Sequence, residues 1–522
     1  MKRSSAIVVW LWITAFACGA IVMAVEFLGA RMLGVEYGSS QIVWAAMISV
    51  TLFSLTAGYF VGGSLSDRFP RPALLYAAIL AAGALLIVCP HAGFVLKACR
   101  RGLGIRGGAL ASSLVLFVLP LGLLGMTSPF VIKLLTERGR SVGRTAGGVY
   151  AVSTVGSVAG TLLTAFLLIP GLGTPASFRV CSVAAAAVGA AGLATVLGLW
   201  GAVAFVLPPV LAFVPIPRPS VGLAYTAPDG QPVTVRSVCD SQYGRIVILD
   251  KGDAQTGYRL LVVNGIVQTG VPRNFARLPR GAHLLTPYFQ ELLPYTVEKP
   301  ESANALLIGL AGGMTASLLQ KYGIATHAVD LDPEMIRIAR QMFGFRGPAV
   351  AADGRRFLEA CDKHYDFCVI DTYSGDGFPY FMASVEGVAA ARKVLKPGGL
   401  LAVNFIGTPA GRPFACVYKT LQAVFPHVLA LRGEESKDVQ TITLFARDQA
   451  ITFNKGWMDF QTDTTGPDRV SDLIDRFTIT PRPADGFVLT DAYNPIDLIR
   501  QDEAVRWRER AITQNIGEQA LF

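Results

Sequence analysis

The feature that most constrains this chain is a series of long apolar runs between residues 6 and 216. A segment needs roughly 20 apolar residues to cross a hydrocarbon core of ~30 Å. Inside lipid every backbone N–H and C=O must be paired within the segment, so such runs fold as helices. Candidate spans are 6–28, 41–63, 72–90, 109–133 and 146–169. A longer block at 175–216 is interrupted by Gly201, Pro208 and Pro209 and reads as two spans, or as one plus a re-entrant piece. The expected count is therefore six or seven. Over the whole chain 52% of residues are hydrophobic and only 16% charged, an excess concentrated in this first part. The rest has ordinary globular composition. The formal net charge of +9 is dispersed, with no basic stripe interleaved with aromatics, which argues against nucleic-acid binding.

The start, Met1-Lys2-Arg3 followed by an apolar run, reads as an uncleaved first span. Lys2, Arg3, Arg68, Arg71, Arg138, Arg140 and Arg144 favour one face as cytoplasmic. Lys97, Arg100, Arg101 and Arg106 fall on the other face and oppose that scheme. Glu26 stands inside the first span with Arg31 further along; a functional acid and an interfacial acid paired with a cation both remain open. Gly156 and Gly160 form a GxxxG spacing, expected to pack helices within the chain. Gly62 to Arg68 reads as a tight cytoplasmic turn.

Residues 217–235 are rich in Pro and Gly and read as a linker. Residues 236–296 form a small β-domain, with Asn264-Gly265 as a hairpin turn between strand-like stretches. Residues 297–522 form a Rossmann-like domain. Its signature is the stretch Asn304 to Asp332. An apolar strand leads into Gly309-Leu310-Ala311-Gly312-Gly313, a helix runs from Thr315 to Lys321, and a second strand, Thr326 to Val329, ends on Asp330. The glycines allow close backbone approach to a ligand, and an acid at the second strand's tip suits a ribose diol. The spacing is not GxGxxG, so it fits nucleosides lacking a pyrophosphate, such as S-adenosylmethionine. Asp353-Gly354, Asp371 after a buried strand, and a Lys396 to Gly399 turn continue the pattern. The expected fold is an α-helical membrane bundle followed by an α/β Rossmann-like domain of class I methyltransferase type, preceded by the small β-domain.

The eight cysteines form no CxxC and no cluster with the five scattered histidines, so neither a disulfide framework nor a metal site is expected. The terminal stretch Gln501 to Arg510 reads as a charged, solvated helix.

The order Ser241-Gln242-Tyr243-Gly244, then Asn264-Gly265 and Gln268, the glycine turn, Val329-Asp330-Leu331-Asp332-Pro333, Asp353-Gly354 and Asp371 resembles spermidine synthases. The likeness covers roughly residues 236–500. It extends to the bacterial membrane-bound spermidine-synthase-like proteins through Glu26, Gly148 to Gly171, and Leu489 to Asp497. The resemblance implies that Gln242, Gln268, Gly309 and Gly313 line the cofactor pocket. It gives Asp330 the ribose, Asp353 and Gly354 the adenine edge, and Asp371 and Asp376 the reacting centre, with Tyr243, Tyr373 and Asp491 as neighbours. Asp491 capping the terminal helix is the alternative. It further implies decarboxylated or intact S-adenosylmethionine as cofactor and a small, polyamine-like amine as acceptor. The lipid bilayer is the expected partner, and a homodimer is the family's common state. The expected location is the bacterial inner membrane, multi-pass, with the soluble domain in the cytoplasm where the cofactor is made.

The sequence departs from that family at telling places. The acid inside the family's glycine turn is Gly312 here, and its acidic and Tyr-His segment is the basic stretch Val271 to Arg277, with His283 beyond it. The strand-end pair of acids is stretched to Asp371…Asp376. Three readings follow: an aminopropyltransferase-like enzyme, a methyltransferase on the same scaffold, and a non-catalytic membrane scaffold or transporter with a nucleoside-sensing domain.

Overall fold

The computed structural model describes residues 2–38, 41–138, 141–215, 221–273, 289–373, 377–454, 470–481 and 486–511. Contacts divide the chain into two compact units. One holds Met1–Ser220 together with Cys239–Arg245; the other holds Val221–Val238 and Ile246–Ala520.

The first unit is helical. Among the described residues six segments are long and apolar enough to cross a membrane: Ile7–Tyr37, Gln41–Arg68, Pro72–His91, Gly93–Thr136, Val142–Leu172 and Thr174–Leu197. The long block at 175–216 resolves into the last of these and a shorter apolar stretch, Trp200–Phe213. At ~1.5 Å per residue that stretch falls short of a ~30 Å core. The helices Lys2–Tyr37 and Val142–Leu163 meet at backbone distance. A Cβ on Gly156 would lie 2.1 Å from the Phe16 carbonyl oxygen, and one on Gly160 2.2 Å from that of Ala20. The GxxxG pair is thus spent inside the chain, where small residues let two helix backbones touch.

Three sequence expectations change here. Gly62 to Arg68 is not a turn but the last two turns of the helix Gln41–Arg68, where Asp67 pairs with Lys133 at 2.9 Å. Lys97, Arg100, Arg101 and Arg106 are not in a loop: all four lie in the helix Gly93–Gly125, kinked at Gly104, and Arg100 is buried in an ion pair with the buried Glu36. Glu26 is half-buried beside Thr51, while the Arg31 guanidinium donates to the carbonyls of Ser241 and Gln242, each at 2.7 Å.

The second unit holds two sheets. The smaller runs in the order β1 (Ala224–Thr226), β2 (Pro232–Asp240), β3 (Arg245–Lys251), β4 (Tyr258–Val263) and β5 (Ile266–Pro272). Residues 224–226 and 232–235, read as linker from their Pro and Gly content, are strand. Asn264 (φ 48°) and Gly265 (φ 80°) make the hairpin turn between β4 and β5, both in the left-handed region this turn demands.

The larger sheet comprises β6 (Asn304–Ile308), β7 (Ala325–Asp330), β8 (Ala349–Ala351), β9 (Tyr365–Ile370), β10 (Leu395–Gly407), β11 (His427–Arg432), β12 (Gln440–Arg447) and β13 (Thr478–Ile479). Its order is β13-β11-β12-β10-β9-β6-β7-β8. Strands β8, β7, β6, β9 and β10 pair in parallel, and β12 inserts antiparallel between β10 and β11. The central strands are apolar on both faces, as a sheet covered on both sides requires. Leu306, Ile308, Cys368, Ile370, Leu401 and Val403 fill one core. Their alternate neighbours Ala305, Leu307, Phe367, Val369, Leu400 and Ala402 fill the other.

The terminal helix Gln501–Arg510 is not simply a solvated face. Arg508 and the preceding Arg500 are buried, as is Glu503. Arg508 donates to the Asn264 carbonyl at 2.8 Å, and Arg500 to that of Ile406 at 3.1 Å. The charged letters are spent on backbone acceptors, which a composition reading cannot see.

Substituting Gly156→Leu should overpack the contact between Lys2–Tyr37 and Val142–Leu163. We expect a loss of about 1–3 kcal/mol, read as a lower melting temperature of the detergent-solubilised chain, whereas Gly147→Leu, with open space around it, should leave the melt unchanged.

Candidate functional site

The turn after β6 is built for close approach. Gly309 (φ 93°) has no room for a side chain, since a Cβ would lie 2.0 Å from the Asp371 carbonyl oxygen. Its amide donates to the Val329 carbonyl at 2.8 Å, and the Asp371 amide to that of Ile308 at 2.9 Å. Strands β7, β6 and β9 therefore stay paired up to their tips. Gly313 (φ 72°) then starts the helix Met314–Lys321.

Asp330, at the tip of β7, organises this turn. Its Oδ2 accepts from the amides of Leu310 at 2.9 Å and Ala311 at 3.4 Å, and its Oδ1 from that of Asp332 at 2.9 Å. Burial pushes its carboxyl up from the usual carboxylate range, and these amides oppose that. Asp353 follows β8 and caps the helix Gly354–Ala360, accepting from the Arg356 amide at 2.9 Å. Gly354 packs so tightly on β6 that a Cβ would lie 2.4 Å from the Ile308 Cγ2. Asp371, past β9, accepts from the Asn404 side-chain amide at 2.7 Å. Burial raises its pKa, and the bond from Asn404 lowers it in part.

The sheet order β9-β6-β7-β8 lines these groups up: Asp371, the glycine turn, Asp330, Asp353. Three strand spacings of ~4.8 Å separate the outer strands, about 14 Å in all.

Residues 306–403 match the methyltransferase domain family. Residues of this chain are 30% identical over 165 positions to the N-terminal histidine N-methyltransferase of Emericella nidulans, covering 29% of this chain and 30% of that one. They are 24% identical over 204 positions to a polyamine aminopropyltransferase of Thermoplasma volcanium, covering 37% and 70%. Among solved structures, a probable spermidine synthase from Corynebacterium glutamicum aligns at 17% identity with a TM-score of 0.37, over 51% of this chain and 93% of that one. The chain spans under a third of the length of the first two curated relatives, 30% and 27%. With β12 inserted antiparallel beside β10, the larger sheet has the class I methyltransferase-like Rossmann fold.

Of the remaining expected site residues, Gln268 is half-buried and is the extra residue of a bulge in β5, between Val267 and Thr269. Bulges re-aim side chains and recur beside binding sites. Gln242 and Tyr243 are exposed and lie in a stretch that groups with the helical unit. Tyr373 commits its hydroxyl to the Ile406 amide at 2.6 Å, under the Arg500 guanidinium. Asp491 pairs with Arg355 at 3.1 Å and accepts from the Ser384 hydroxyl, so it braces the helix Gly354–Ala360 and does not cap the terminal helix. Asp376 lies outside the described residues, as do 274–277 and His283.

Two residues escaped the sequence reading. Thr269 accepts from the Gly312 amide at 3.3 Å, docking β5 on the glycine turn. Nothing in its sequence context marks it. Asn404 was findable: it is the one polar residue in the run Leu400 to Ile406.

Gly309→Ala should strain the turn and push on Asp371. We expect a loss of about 1–3 kcal/mol in thermal melts, together with loss of nucleoside binding by calorimetry.

Proposed function

We propose that the second unit binds an S-adenosyl sulfonium nucleoside across the tips of β9, β6, β7 and β8 and transfers its aminopropyl group to a small amine. The observation that carries this reading is the line of Asp371, the glycine turn, Asp330 and Asp353 at one sheet edge. The residues suit the ligand. Asp330 accepts from three backbone amides, and a carboxylate has about four lone-pair positions, so capacity remains for one ribose hydroxyl. Gln268, Gly309, Gly313, Asp353 and Gly354 complete the proposed pocket, with Asp491 beside the acceptor.

When bound, the sulfonium supplies an electrophilic carbon and a neutral sulfide leaving group. The protein must do the rest. Amines are protonated at neutral pH, so a carboxylate has to hold the ammonium and take its proton as the bond forms. Asp371, fixed by Asn404, has that role in our proposal, with Asp376 as its partner.

A second reading, methyl transfer from intact S-adenosylmethionine, draws on Gly312. A Cβ there would lie 3.0 Å from Thr269 Cγ2 and 3.2 Å from the Phe343 ring, so the turn is tight around the position of the acid that would hold an aminopropyl amine. The N-terminal histidine N-methyltransferase relative points the same way. The six spanning-length helices support a multi-pass seat in a bacterial inner membrane, with the nucleoside site on the cytoplasmic side and a homodimer as the proposed assembly.

Titrating the full chain in detergent with decarboxylated and intact S-adenosylmethionine tests the proposal; absence of heat with both overturns it. Product analysis separates the readings, methylthioadenosine marking aminopropyl transfer and S-adenosylhomocysteine marking methyl transfer. Asp371→Asn should lower kcat/KM by ~10²–10⁴-fold. Burial raises the Asp371 pKa above its ordinary 3.8. Activity should therefore fall as pH drops through a value above that figure, and the Asn variant should lack this limb.

A further inference from the structure

Glu26 is an acid within the apolar helix Lys2–Tyr37, and the chemistry of the second unit makes no use of it. Its side chain is half-buried. The nearest cation along the chain, Arg31, bonds the carbonyls of Ser241 and Gln242. Among the described residues no cation forms an ion pair with Glu26. A carboxylate at membrane depth is costly without a partner, and such groups mark ion and substrate sites.

Two hydroxyls stand beside it on neighbouring helices. Gly156 meets Phe16 and Gly160 meets Ala20, so the helices Lys2–Tyr37 and Val142–Leu163 run in the same direction. Between them Ser157 donates to the Gly19 carbonyl at 3.2 Å. Seven residues on, about two helical turns, the same two faces present Glu26 and Thr164. Thr164 opens the π turn Thr164–Leu168, which touches the first helix. Single π turns within α-helices recur at functional sites. On the other flank a Cβ on Gly29 would lie 2.8 Å from Met47 Cε, and Thr51, one turn beyond Met47, stands beside Glu26.

Hydroxyls in these helices bond the carbonyl four residues back, as those of Thr14, Thr56, Ser157 and Thr161 do. Thr51 and Thr164 break that habit. They are 1% and 0% exposed, and neither Oγ1 has a hydrogen-bond partner. An unpaired hydroxyl in an apolar interior costs free energy, and a ligand that bonds it removes the cost.

We propose that Glu26, Thr51 and Thr164 form a binding site for a primary ammonium group within the helical unit. Such a head has three N–H donors, one for each side chain, and its charge neutralises the carboxylate. The assignment goes beyond the transferase reading and does not depend on it. A small free amine and the amino headgroup of phosphatidylethanolamine share this chemistry.

The test is calorimetry on the full chain in maltoside detergent near neutral pH, with butylamine as the probe. The chain carries Asp371→Asn, which removes the acceptor site proposed for the second unit. Butylamine should bind, and neither Na⁺ nor tetramethylammonium, which has no N–H, should compete. Adding Glu26→Gln should weaken binding about tenfold or more, and Thr51→Val or Thr164→Val about three- to tenfold each. The valine variants should melt no lower than their parent, because each replaces an unpartnered hydroxyl with a methyl group. Displacement of butylamine by phosphatidylethanolamine assigns the site to the lipid headgroup, and failure to displace it assigns the site to a free amine. Unchanged butylamine affinity in Glu26→Gln overturns the proposal. So does equal competition by Na⁺ or tetramethylammonium, or a pair of valine variants that melt lower and bind butylamine unchanged. A chain that binds neither butylamine nor phosphatidylethanolamine also overturns it, while the nucleoside titration above decides the transferase reading by itself.

Discussion

The geometry of the second unit turns on one carboxylate holding a loop by its amides. Asp330 gathers Leu310, Ala311 and Asp332 onto two oxygens. Two consecutive amides of the glycine turn thereby point at the tip of β7 and not at solvent. Without that grip the turn would have no reason to keep Ala311 at a positive φ, which costs free energy for any residue but glycine. The same side chain is the expected ribose ligand, so loop shape and ligand recognition depend on a single group. A site arranged this way is formed before the nucleoside arrives, and binding need not supply the energy of ordering the loop.

Much of the fold was legible because its signals are local. The apolar runs dictate helices, and Asn264-Gly265 dictates a hairpin. The β6–turn–helix–β7 unit appears within a residue of its expected bounds, since strand, glycine and strand-tip acid are each written in consecutive letters. What failed was long-range. Arg100 looked like a loop cation because Glu36 is 64 positions away. Gln501–Arg510 looked solvated because its backbone acceptors belong to distant strands. Thr269 carried no mark at all, since its role exists only where β5 meets the glycine turn. Linker residues 224–226 and 232–235 became strand because pairing partners outweigh a Pro- and Gly-rich composition.

The departures from spermidine synthases take on a physical shape here. Gly312 is more than a missing acid. Thr269 and Phe343 close over it, so the change is built into the docking of the smaller sheet. Arg259 reinforces that docking, bonding the buried Asp250 on its own sheet and the Met342 carbonyl across the gap at 2.8 Å. An acid at 312 would press on Thr269 in β5, the strand whose bulge carries Gln268.

The stretch Cys239–Arg245 is covalently part of the smaller sheet yet grouped with the helices. Arg31 forks onto two of its carbonyls, and Asp240 accepts from the Thr174 amide at 3.3 Å beside a Gly173 that has no space for a side chain. The division between the two units is thus not one point along the chain, which passes from one to the other after residues 220, 238 and 245. Scissors applied at residue 216 would leave a hairpin tip with its guanidinium clasp behind in the discarded half. A water-soluble fragment would need that tip redesigned, and swapping the helical half for an unrelated anchor would cost the tip the same clasp.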